Sequence, residues 1–177
     1  MRRDRGFVIA ASFVLLSIGS AVYLTVVTVN YLNYYPALGQ VYVRTDSVFI
    51  VPGSNNSMIS SGVSVVNPTD YVGFRLGEAI VTLSFHVSDT NATLFGGVHL
   101  VQSETVGVEL APHSTVSRNL IFQLNAEDAN SFSSFVKTYA GRIVATVVLT
   151  VQVITFLNTV TGRDYYMVTQ DLPLSSS

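Results

Sequence analysis

Between Phe7 and Val29 the sequence runs FVIAASFVLLSIGSAVYLTVVTV, 23 residues without a charge or a proline. So apolar a stretch has three fates: burial in a core, removal after targeting, or residence in a bilayer. As a helix it reaches ~34 Å, enough to cross a hydrocarbon layer of ~30 Å with some tilt. A cleaved signal peptide would use Phe7 to Leu16 as its apolar core and Gly19-Ser20-Ala21 as its cleavage site. Apolar residues continue for eight positions beyond that site, which favours an uncleaved anchor. Arg2, Arg3 and Arg5 precede the span and no basic cluster follows it. The positive-inside rule then predicts a cytoplasmic amino terminus and an extracytoplasmic remainder. Tyr31, Tyr34 and Tyr35 follow the span, where aromatic rings suit the headgroup layer, and Pro36 with Gly39 marks a break.

Charge narrows the classes further. Only 11% of the 177 residues are charged, against ~25% in ordinary soluble domains. The chain holds one lysine, Lys137, and six basic against ten acidic residues from Asn30 onward. No basic surface that tracks phosphates can be built from these, so nucleic acid is excluded as an expected partner. With no cysteine, neither a disulfide framework nor a thiolate metal site is possible.

From about Val41 the pattern changes to period two, the spacing of strands. In Glu78 to Val87, EAIVTLSFHV, Ala79, Val81, Leu83, Phe85 and Val87 share one face, while Glu78, Thr82, Ser84 and His86 share the other. Such alternation suits an antiparallel sheet with one buried face. Ser114 to Leu124 repeats it, with Val116, Leu120, Phe122 and Leu124 inward. Arg142 to Phe156 is β-branched and apolar on both faces, and predicts a central strand covered on both sides. Turn residues at Pro52-Gly53-Ser54-Asn55, Asp89-Thr90-Asn91 and Asn158 to Gly162 separate these runs. Between them Asn125 to Ala140 predicts a short helix: Asn125 caps it, Glu127 and Asp128 occupy its first turn, and Gly141 stops it. Phe132, Phe135, Val136 and Tyr139 form its buried stripe. The expected fold is mostly β, an antiparallel sandwich of fibronectin or immunoglobulin type with one short helix, behind one transmembrane helix.

Asn67-Pro68 interrupts one of these strands. Proline has no N–H for a sheet ladder, so a strand through Val63 and Val65 must stop or reach an edge there. The preceding residue is held extended, and an asparagine side chain can bond the backbone that the strand leaves open. Read from its residues, the pair terminates a strand.

The ordered set of an anchor, VSVVNPTDY, EAIVTLSFHV, STVSRNLIFQL, a helix, IVATVVLTVQVITFL and RDYYMVTQDL resembles the group-2 late embryogenesis abundant proteins. Their domain is also called WHy, for water stress and hypersensitive response. The resemblance covers about Gln40 to Leu172. It implies a seven-stranded sandwich with one helix, no enzymatic activity, a link to stress protection, and in several members a single amino-terminal span. It also implies that Asn67 and Pro68 are structural hallmarks. The scarcity of lysine and the anchor set this chain apart from a freely diffusing protectant. The expected organisation is a cytoplasmic tail at 1–6, the span at 7–29, a linker at 30–39, a WHy-like domain at 40–172 and a flexible tail at 173–177.

Sites of chemistry are sparse. His86, His99 and His113 lie 13 and 14 residues apart on separate elements, a pattern of scattered surface histidines rather than a zinc site. Glu104 and Glu109 flank Gly107, and a hairpin there would bring the two carboxylates together. The chain lacks GxSxG, a phosphate-cradling glycine loop and HExxH. No catalytic residue, metal or cofactor is expected. Asn55 and Asn91 head glycosylation sequons in predicted turns, and Pro68 excludes Asn67 from a third. The expected function is non-catalytic binding, scaffolding or an accessory-subunit role at the cell envelope, with the bilayer and envelope proteins as partners. The sequence leaves a small-molecule ligand open. The alternative is a filament subunit resembling type IV pilins or archaellum-associated proteins. Arg5-Gly6 before Phe7 resembles a pilin processing site, although Ala11 stands where the mature helix of a pilin carries glutamate.

Overall fold

The computed structural model describes residues 2–90, 92–94, 100–155 and 164–176. The chain divides at Gly39–Gln40 into an amino-terminal helix and a β domain. The helix, α1 (Arg2–Leu38), has 37 residues and would measure ~55 Å. Along its apolar window the side chains are exposed all round; Phe7 is 76% and Leu15 70% accessible. Two of its hydroxyls turn to its own backbone: Ser12 Oγ donates to the Val8 carbonyl and Thr25 Oγ1 to that of Ala21, both at 2.9 Å. Those two hydroxyl protons are therefore satisfied within the helix. The stretch 30–39, expected as a linker, is helical as far as Leu38. Pro36 lies two residues from the end and has no N–H to donate to the Leu32 carbonyl one turn back, while the Gly39 N–H closes on the Tyr35 carbonyl at 3.0 Å.

The β domain contains β1 (Tyr42–Ile50), β2 (Met58–Asn67), β3 (Phe74–Val87), β4 (Leu100–Thr105), β5 (Glu109–Leu110) and β6 (Ser114–Gln123). Then follow α2 (Ala126–Thr138), β7 (Ile143–Thr155) and β8 (Asp164–Ser176). All strands join one sheet in the order β4-β3-β7-β8-β1-β2-β6, with β5 also on β3. This corrects the expectation of a purely antiparallel sandwich. The cause is the chain end, expected as a flexible tail at 173–177. Instead β8 runs to Ser176, pairing antiparallel with β7 as far as Pro173 and then parallel with β1 through Leu174 to Ser176. That parallel join turns two layers into one folded-over, mixed sheet.

The inward positions follow the alternation of the sequence. Val81, Leu83, Leu120, Val147, Leu149 and Val151 are at most 1% exposed. The helix α2 begins as its residues demand, with the Asn125 side chain accepting from the Asp128 N–H at 2.9 Å. Phe132 is fully buried, and its ring lies 5.5 Å from that of Phe85. The strand β7 is central, between β3 and β8, as expected. Its second face is not covered as expected: Val144, Thr146, Val148 and Thr150 are half-buried by adjacent strands. Among the described residues no further element of the domain lies over them.

The edge formed by β4 and β5 brings a second correction. Gly107 does not turn a hairpin. Both strands pair with β3 in the same sense, Thr105 with Glu78 and Glu109 with Arg75, so they form one interrupted edge. Val106 N–H to the Gly77 carbonyl and Leu76 N–H to the Val108 carbonyl, each 2.8 Å, bracket a bulge in which Gly107 takes φ +60°. Opposite, β3 has its own irregularity between Leu76 and Ala79. A Cβ at Gly77 would lie 2.1 Å from Gln152 Oε1, so glycine lets that side chain cross the bulge to donate to the Tyr165 hydroxyl at 3.2 Å.

Candidate functional site

Asn67 stands at the carboxyl end of β2, wholly buried. Its Oδ1 accepts from the Thr69 N–H at 3.0 Å and from the Thr69 hydroxyl at 2.7 Å. This is the local asparagine turn that a strand stop before proline requires. Its Nδ2 faces the Ala111, Tyr71 and Leu110 carbonyls at 3.1, 3.3 and 3.4 Å. This second half leaves no local trace, because Leu110 and Ala111 lie more than forty positions away. One amide thus ties the exit of β2 to the crossing from β5 to β6. Every polar atom of the side chain is spent on the protein itself, and none reaches solvent to do chemistry. The exposed Pro68 then carries the chain off the sheet.

The same junction holds a histidine–carboxylate hydrogen bond not foreseen from the sequence. His113 Nε2 lies 2.7 Å from Asp70 Oδ1, and the His113 N–H reaches the Thr69 carbonyl at 3.3 Å. His113 adopts φ +50°, a left-handed conformation that this backbone bond helps to hold. Asp70 is almost fully exposed and His113 mostly so, so the pair is worth at most ~1 kcal/mol.

The remaining candidates stay apart. His86 Nδ1 is 3.4 Å from the Thr146 hydroxyl, on an outer face remote in the sheet from His113, and His99 lies outside the described residues. Among the described residues no three histidine, aspartate or glutamate side chains gather in a way that could hold a metal. Glu104 pairs with Ala79 and Glu109 with Arg75, so the two carboxylates sit at different positions along one edge. Asn55 is exposed in the β1–β2 turn at φ +51°, and Asn91 lies outside the described residues.

Two free strand edges face each other across the open seam of the sheet, β4 on one side and β6 on the other. Their core-facing positions carry polar groups: Gln102 and Glu104, which pair with the buried Val81 and Ala79, and Arg118 between Val116 and Leu120. Arg118 borders a narrow apolar cleft walled by Val63, Val65, Leu76 and Val151. Charges pointing inward from an edge oppose further strand pairing, so the seam is guarded against unspecific association. The signal was legible in STVSRNLIFQL, where arginine occupies an inward register position. On the face of β2 opposite Val63 and Val65, the buried Ser64 donates to Asp46, the extra residue of the β1 bulge, and lies 2.8 Å from the Ser117 hydroxyl. Arg44 pairs with the same aspartate at 2.8 Å, so this ladder too is internally satisfied.

Fold and junction together define a class: a mostly β domain built on one mixed sheet with one short helix, behind a long apolar helix. No protein-family model matches the chain, and no curated protein does. Solved structures show similarity. One is a protein assigned to the late embryogenesis abundant group, with 11% identity over 88% of this chain and 84% of that one, at a TM-score of 0.45. A second, from Arabidopsis thaliana, has 10% identity over 77% and 79%, at a TM-score of 0.40. A third, from Archaeoglobus fulgidus, has 9% identity over 76% and 94%, at a TM-score of 0.41. At these identities the likeness concerns the fold alone.

Proposed function

We propose that the chain is a single-pass membrane protein whose extracytoplasmic WHy-like domain acts by binding, as a scaffold or accessory subunit of the cell envelope, with a role in stress tolerance. The observation that carries this reading is α1, a helix apolar on every side and exposed along its whole apolar window. A helix of that kind needs a bilayer or a protein around it. Three arginines before the span support a cytoplasmic amino terminus. A non-catalytic role is supported by the polar groups of the Asn67 junction and the Asp46 ladder, which are turned to each other and to backbone. Asn55, exposed in its turn, remains a candidate glycosylation acceptor.

The second reading is a filament subunit. The observation in its favour is that α1 continues unbroken past the apolar span and ends only four residues before β1. Cross-linking in intact membranes, followed by mass spectrometry of the recovered chain, tests both readings. The anchored binding protein predicts a chain beginning at Met1 or Arg2 and linked to other envelope proteins. A chain beginning at Phe7 and linked only to copies of itself through α1 would contradict it and support the filament.

A further inference from the structure

The face of the sheet that no layer covers among the described residues is long and without charge at its centre. Val101, Ile80, Val148, Ile154, Tyr165 and Met167 lie on it, interspersed with threonine and serine. Three of them, Val101, Tyr165 and Met167, are 62%, 53% and 73% exposed. Across its middle the rows read Ser103–Ile80–Thr150–Met167 and Val101–Thr82–Val148–Thr169. Charge returns only at the ends. At one end Arg75, opposite Ile154, is exposed, with Glu78 nearby on the same strand; at the other stands the exposed Asp171, opposite Thr146.

We infer that this face is the interface between two copies of the chain. Arg75 and Asp171 lie at opposite ends, ~26 Å apart along the strands, with Thr150 midway between their partners on β7. A twofold axis in the plane of the face, passing through Thr150 and inclined by about 20° from the perpendicular to the strands, sets Arg75 of each copy against Asp171 of the other. The patch is therefore self-complementary, as a twofold interface must be. Four strands over that length offer ~500 Å² per copy, ~1,000 Å² in all, at the lower bound for a specific association. Tethering to one membrane raises the effective concentration of the two copies, so a modest interface suffices. This last point rests on the anchored reading above; the complementarity of the face does not.

The absence of cysteine gives a clean test on the full-length chain in detergent and in native membranes. In Thr150→Cys, mild oxidation should yield a disulfide-linked dimer. The linked fraction should exceed by roughly tenfold that of Ile121→Cys, which lies on the outer face of β6 and is 50% exposed. Arg75→Asp or Asp171→Arg, added singly, should lower linking at position 150, and the two together should restore it. Equal linking at positions 121 and 150, no dimer at 150, or no rescue by the double exchange would each overturn the proposal. Failure of these results with α1 still membrane-embedded would remove the dimer and leave the anchor untouched; loss of α1 from the membrane would do the reverse.

Discussion

Asn67→Ala is expected to destabilise the β domain by about 4 kcal/mol, from two donated and two accepted hydrogen bonds that each contribute ~1 kcal/mol net. Three carbonyls compete for the two amide protons, and the Ala111 carbonyl also accepts from the Ser114 hydroxyl at 2.6 Å, so truncation removes the one donor group that ties all three to β2. Against a total stability of about 5–15 kcal/mol this is a large fraction. Asn67→Asp should be worse at neutral pH, because it keeps the acceptor for Thr69 and turns a carboxylate oxygen toward three carbonyl oxygens. Pro68→Ala, at an exposed position, should cost under ~1 kcal/mol through chain entropy. Denaturant titration of the three variants checks the order. If Asn67→Ala and Pro68→Ala proved equally mild, the junction would not be the tie described.

Phe132→Ala is expected to cost about 4 kcal/mol, the loss typical of a fully buried ring that leaves a cavity. Phe132 is the one residue of α2 that is completely buried, and it meets Phe85 on β3. The helix should therefore loosen from the sheet while the strands stay paired. Amide exchange should rise across Ala126–Thr138 well before it rises in β3 or β7. Phe135→Ala removes a half-buried ring that stacks on Tyr139 at 5.1 Å, and should be clearly milder. Equal losses at positions 132 and 135 would contradict the described packing.

Both predictions concern features that were readable to different depths. The alternation of EAIVTLSFHV placed the core side of β3 correctly because period two is a local property of a strand. The helix α2 was readable for a similar reason: its cap, its first-turn acids and its stop residue lie within one short stretch. The join of β8 to β1 was not readable. It pairs Leu174 with Val48, and nothing local in a serine-rich end marks it as a strand. The bulge at Gly107 was misread as a hairpin because a left-handed glycine serves either purpose, and only the shared partner β3 decides. At Asn67 the turn with Thr69 could be foreseen from proline stereochemistry, whereas the reach to Leu110 and Ala111 is set by the folded topology. Arg118 carried a visible signal, a charge at an inward position, whose meaning depended on knowing that β6 ends the sheet.

The central claim is that α1 crosses a membrane with the β domain on the side away from Arg2, Arg3 and Arg5. Because the chain contains no cysteine, single replacements report its topology without background. In intact cells a membrane-impermeant maleimide should label Asn55→Cys at once and Asp4→Cys only after permeabilisation, with the protein retained in membranes through alkaline carbonate. Equal labelling of the two positions in intact cells, or release by carbonate, would contradict the account.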